Sequence, residues 1–218
     1  MTAWLTVWDL LPVLLLAAVT TVQITIGGFV LAVAIGLVCA VALQFRSRPL
    51  RAVIAVYVDV FRAVPVLTQL FIIYFGLTEF GIRLDPVPAA IIGFGINGGA
   101  YLTEVFRAGI AAVHQGQTEA AQMLGMPRLA VMRIVVIPQA LRVSLPPLGN
   151  FVIGLLKDTA LASAVAAPEL MFRSRNLVDK TFLSTQLYLA AAAIYLVMSL
   201  PLGYVTRRLE ARVSRGHR

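Results

Sequence analysis

The chain has 218 residues, 60% of them apolar and only 13% charged, with a mean hydropathy of +0.89. That composition excludes an ordinary soluble globule and points to a protein that crosses a membrane several times. The formal charge of +8 comes from basic residues scattered over separate segments, which excludes a nucleic-acid surface and fits a topology signal plus attraction to anionic membrane lipid.

A helical crossing needs roughly 20 apolar residues. Charge-poor stretches of that length lie at about 16–43, 52–77, 87–111, 143–166 and 186–207, which predicts an all-α polytopic membrane protein with five transmembrane helices in one domain over residues 1–218. The first apolar run begins near Leu10 and has room for an extra interfacial piece, with Trp4 and Trp8 one helical turn apart at the membrane surface. No positive side chain precedes Arg46, so a cleaved signal peptide is not expected. Cys39 is the lone cysteine, which excludes an intramolecular disulfide and reads as a small core residue.

Between the third and fourth spans, residues 112–140 carry their own helix-stop chemistry. Glu119 to Leu124 predicts a short helix bearing Ala120 and Ala121. Gly125 supplies the left-handed position after it, and Pro127 prevents continuation. The charges give this loop a side. Arg46, Arg48 and Arg51 follow span one; Arg107, Arg128, Arg133 and Arg142 follow span three; Arg207, Arg208, Arg212, Arg215 and Arg218 form the tail. The opposite side holds Arg83, Arg173, Arg175 and Lys180, and collects Asp9, Glu79, Asp85, Glu169 and Asp179. The positive-inside rule then predicts an external N-terminus, a cytoplasmic C-terminus and a cytoplasmic short helix.

A phosphate-binding loop needs Gly-x-x-x-x-Gly-Lys followed by Ser or Thr. Neither Lys157 nor Lys180 stands in such a run, so the chain is not expected to hydrolyse ATP itself. His114 and His217 have no second ligand at helical spacing, and no metal site or His-based catalysis is expected. No catalytic residue is assigned.

Several segments form an ordered series. Arg62-Ala63-Val64-Pro65, Gln69-Leu70-Phe71 and Tyr74-Phe75-Gly76-Leu77 lie in span two; Asn97-Gly98-Gly99-Ala100-Tyr101 and Glu104 lie in span three, with Arg107-Ala108-Gly109-Ile110 at its exit. Gly116-Gln117, Glu119-Ala120-Ala121, Gly125, Pro138-Gln139-Ala140 and Arg142 follow, then Pro146-Pro147, Asn150, Lys157-Asp158-Thr159 and Glu169-Leu170. The series resembles the permeases of binding-protein-dependent ABC importers, in particular the polar amino acid uptake family of histidine, glutamine or arginine type. The resemblance implies a type I importer fold in the cell inner membrane, paired with a second permease (identical or homologous), two ATP-binding subunits and an external solute-binding protein. It implies that Gly116, Glu119, Ala120, Ala121, Leu124, Gly125 and Pro127 couple the chain to the ATPase. The permease itself binds no cofactor, and ATP is used by the partner subunit. Ala63-Val64 where Gly-Thr is usual, Ala160 where Ser is common, and Pro168 before Glu169 depart from the family pattern and bear on cargo identity.

Polar residues inside the spans fall on stripes, because positions seven apart lie within about 20° on a helix. Arg62 and Gln69 share a face of span two, with Asp59 one turn before Arg62. Asn97 and Glu104 share one on span three with Tyr101 between, and Asn150 and Lys157 share one on span four. A charge at membrane depth costs at least ~2.5–3.5 kcal/mol, so such groups face a protein interior or a wet cavity. Asp59 with Arg62, and Glu104 with Arg107, have the i,i+3 spacing at which they neutralise one another. Lys157 and Asp158 point about 100° apart and do not. They predict a zwitterionic cargo, with Lys157 for a carboxylate, Asp158 for an ammonium, and Asn150, Thr159 and Asn97 as neutral partners. Two further readings stand beside it: an ion-gradient-driven small-solute transporter or channel, and, for the cargo, a compatible solute such as ectoine.

Overall fold

The computed structural model describes residues 2–45 and 47–215; Arg46, His217 and Arg218 lie outside them. All regular secondary structure among the described residues is helical. Helix α1 (Thr2–Ala42) is one continuous 41-residue helix, so the expected interfacial piece is not a separate element. At ~1.5 Å per residue it is about 60 Å long, twice the ~30 Å of a bilayer core, which leaves its Trp4–Trp8 end free to reach the interface.

Helix α4 (Pro86–Ala111) is the central, most buried helix and packs along α1. Small residues make that approach possible. A Cβ on Gly36 would stand 2.7 Å from Leu102 Cβ, and one on Gly98 would stand 2.8 Å from Ala32 Cβ. Apolar lipid gives helices no hydrophobic reason to associate, so close backbone packing at Gly and Ala supplies the attraction.

The expected second span is broken. Helix α2 (Arg48–Ala63) and helix α3 (Val66–Tyr74), which runs on into a 3₁₀ turn at Gly76–Phe80, meet at 104°. Pro65 has no N–H, its ring would crowd the carbonyl of Phe61 in a continuous helix, and it holds Val64 extended (φ −85°, ψ 132°). Among the described residues, four helical stretches are long and apolar enough to cross a membrane: Ala3–Ala42, Pro86–Ala111, Arg128–Val165 and Ser184–Ala211; counting the bent pair as one makes five.

The helix expected at 143–166 starts well before its apolar run. Helix α5 (Gln115–Met123) is followed by a short turn α6 (Arg128–Ala130), a π-helical turn (Val131–Val136), α7 (Ile137–Asp158) and a 3₁₀ stretch (Thr159–Val165). Two more helices complete the chain, α8 (Leu170–Thr181) and α9 (Ser184–Arg215). Helix α8 is absent from the five-span expectation because it is too short and polar to register as a crossing.

Candidate functional sites

The short helix α5 has caps at both ends. His114 Nδ1 accepts from Gly116 N at 3.1 Å. At the other end Gly125 N donates to Gln122 O at 2.9 Å and Met126 N to Ala121 O at 3.2 Å, with Gly125 at φ +78°. This paired bonding is the Schellman arrangement, and it places a residue in the left-handed region, where glycine carries no Cβ penalty. One face of α5 is anchored: Ala121 is buried with Val131 and Val136 of the π turn, against Ile110 and Val113. The other side and the turn beyond it stand clear, with Glu119, Ala120, Gly125 and Pro127 exposed and Gly116 half-buried. Met123 (89% exposed), Leu124 (83%) and Leu129 (71%) put apolar side chains at this tip.

The break in span two opens a second site. A cavity of about 370 Å³ is lined by Arg62 to Val66, by Phe94, Asn97 and Tyr101 of α4, and by Phe151, Gly154, Leu155 and Asp158 of α7. The Arg62 guanidinium lies 5.3 Å from the centre of the Tyr101 ring, within cation–π range. Among the described residues neither Arg62 nor Asp158 has an ion pair.

Other residues predicted from the sequence take different places. Gln69 is buried, and its Nε2 donates to Phe61 O (2.9 Å) and Val64 O (2.8 Å); Asn97 Nδ2 donates to Phe61 O at 2.8 Å. These amides satisfy the carbonyls that Pro65 leaves open, so they build the break. Asp59 does not pair with Arg62; it borders a shallow cleft with Arg51, Glu104 and Arg107. Glu104 does pair with Arg107, whose Nε donates to Oε2 at 2.9 Å. Asn150 and Lys157 are exposed and do not line the cavity. Lys157 sits in the last turn of α7, where a cation complements the helix dipole. Thr159 is buried and donates to Leu156 O at 2.7 Å. The aromatic and aliphatic wall of Phe94, Phe151 and Val66 has no distinct signal in the sequence, whereas its neighbour Val64 stands out as a departure from the family pattern and Val64-Pro65 as a legible helix break.

Glu169 is fully buried outside the long helices. It accepts from Met171 N (2.9 Å), Phe172 N (2.6 Å) and the Tyr195 hydroxyl (2.8 Å), capping α8. Burial lifts its carboxyl above the ordinary value and outweighs these hydrogen bonds, which pull the other way.

Residues 32–215 match the family described as binding-protein-dependent transport system inner membrane component. The chain belongs to that family. It is 38% identical over 217 residues to the L-cystine transport system permease protein TcyB of Bacillus subtilis, covering 95% of this chain and 92% of that one. It is 34% identical over 212 residues to the glutamine transport system permease protein GlnP of Escherichia coli, covering 96% and 97%. A crystal structure of an amino acid ABC transporter with histidines matches at a TM-score of 0.87 and 35% identity, over 95% of this chain and 97% of that one. An inward-facing methionine ABC transporter, MetNI, matches in fold at a TM-score of 0.71 and 18% identity. The permease is a transport subunit of a membrane system, in a family that is not itself catalytic.

Proposed function

We propose that this permease carries an amino acid or similar zwitterion inward across the cell inner membrane, powered by ATP hydrolysis on a separate subunit. The observation that carries the reading is the cavity at the Val64-Pro65 break, where one cation and one anion without ion-pair partners border the same space. Transporter sites favour such discontinuous helices, and the two charges match a carboxylate and an ammonium. The relatives named for cystine and glutamine support the cargo class. Family membership gives no support to an ion-gradient-driven transporter or channel.

The same reading takes α2, α3 and the 3₁₀ turn together as one bent span, for five spans in all, with the N-terminus outside and the C-terminus in the cytoplasm. Helix α5 is the coupling helix: a non-spanning helix with an exposed apolar tip and a buried seat suits docking into a groove on an ATPase. Two ATP-binding subunits, a second permease and an external solute-binding protein complete the assembly. Reconstitution of that assembly in liposomes tests the proposal. ATP-dependent uptake of an amino acid is expected; uptake of none from a panel that includes ectoine, or uptake driven by an ion gradient without ATP, overturns it.

A further inference from the structure

The cavity walls carry a selectivity rule, and we propose that they admit zwitterions with an uncharged side chain and reject amino acids whose side chain is charged. The inference rests on the cargo reading of this cavity. Its lining holds one charge of each sign, Arg62 and Asp158. Stacked on Tyr101, Arg62 keeps its guanidinium edge free, and that edge matches a carboxylate in a bidentate fork. Asp158, at the last turn of α7, offers oxygens to an ammonium. A bound α-amino acid therefore uses both charges with its own backbone groups.

What remains for the side chain is Val64, Val66, Phe94, Phe151 and Leu155. Asn97 adds a single neutral handle, because its amide N–H groups are engaged with Phe61 O and Gln69 Oε1, leaving its carbonyl oxygen as an acceptor. The neighbouring charges do not reach this wall. Glu104 is paired with Arg107, Asp59 borders a different cleft, and Lys157 is exposed and off the lining. Phe94 and Leu155 are buried, so a cationic or anionic side chain placed against them loses hydration and meets no counter-ion, the costly case for a buried charge.

Equilibrium binding of radiolabelled L-glutamine, L-arginine, L-lysine and L-glutamate tests this, on the permease–ATPase complex in nanodiscs at neutral pH without the external binding protein. Omitting that protein keeps its own selectivity out of the result. Glutamine is expected to bind, and the three charged amino acids to bind on the order of 10-fold more weakly or worse. Val64→Glu or Val66→Glu adds a carboxylate to the wall and should raise lysine binding relative to glutamate by about 10-fold. Arginine, lysine or glutamate binding the unaltered complex as well as glutamine overturns the selectivity rule, and so do lysine-to-glutamate ratios unchanged in both variants. Failure of all four to bind, or glutamine binding that survives Arg62→Gln and Asp158→Asn unchanged, overturns the cargo reading beneath it.

Discussion

The Tyr195 hydroxyl donates to Glu169 Oε2 at 2.8 Å, tying α9 to the start of α8 through a buried carboxyl. The adjacent Leu170 N donates to Thr21 Oγ1 at 3.1 Å, so α1 joins the same knot. Three helices meet at one buried carboxyl.

That knot gives a pH prediction with a definite sign. Burial raises the native pKa of Glu169 above its ordinary 4.5, so the folded protein holds the proton more tightly than the unfolded chain. Its stabilising contribution is complete below 4.5 and is lost as pH rises through the native value. The thermal midpoint should climb as pH falls across that window, and the climb should be shallower in Glu169→Gln. The variant should lose about 1 kcal/mol at the low-pH end, because its amide offers one acceptor oxygen to three donors, and the loss should shrink as pH rises. Parallel pH profiles for the two proteins would show that Glu169 does not titrate there.

Gly125 gives a prediction about coupling. A Cβ added there meets nothing within 4 Å, so the cost of substitution is conformational, from φ +78°. Gly125→Val should cost ~1 kcal/mol or more and displace the helix end, while Gly125→Asn, which tolerates this region, should cost less. Transport and stimulated ATPase activity should fall together in the valine variant with membrane insertion intact. Normal coupling in Gly125→Val would remove the docking role from α5.

The π turn decides which valines hold that helix. Val131 and Val136 are five apart, about 140° apart on an α-helix, yet both are buried against Ala121. Hydrogen bonds that run i→i+5 bring such residues to one side, and the Ile137 N–H indeed bonds Met132 O. Pro138, which has no N–H for Ile134 O and crowds it, supplies the sequence reason for the wider turn. Val136→Ala should therefore cost ~1–2 kcal/mol and weaken ATPase stimulation, and half-buried Val135→Ala should do less. An equal or larger effect at Val135 would mean that the segment works in α register.

Much of this architecture was legible in local chemistry. Gly125 and Pro127 mark the end of α5 because only backbone sterics decide it, and the long apolar runs mark the membrane helices. The bend at Val64-Pro65 was written in the proline but hidden by hydropathy, since the residues on both sides are apolar enough to read as one span. The same averaging hid the start of the fourth helix at Arg128 and lost α8. The cavity was only partly legible. Periodicity places Arg62 and Gln69 on one stripe, but it does not say that Gln69 turns to the freed carbonyls while Arg62 turns to Tyr101. That division depends on how α4 packs against the break, which is tertiary.

Topology can be checked with fusions. Reporters joined after Arg212 should behave as cytoplasmic and reporters near Asp85 as external, following the excess of basic residues in the tail and the loops around 46–51 and 107–142. An inverted pattern at either point overturns the orientation and with it the cytoplasmic placement of α5.

The last prediction separates two cations. Lys157 shares an exposed face with Asn150 outside the cavity, whereas Arg62 borders it and rests on Tyr101. Lys157→Met keeps the apolar stem and removes a charge whose place at the end of α7 is worth ~0.3–1 kcal/mol through the helix dipole. Assembly, basal ATPase activity and most of the uptake should persist. Arg62→Met removes the one cation among the described residues that line the cavity, so uptake should collapse while assembly and basal ATPase activity remain. A swapped result, with uptake lost in Lys157→Met and kept in Arg62→Met, would move the carboxylate-binding role back to the Asn150–Lys157 face and require a second permease to enclose it.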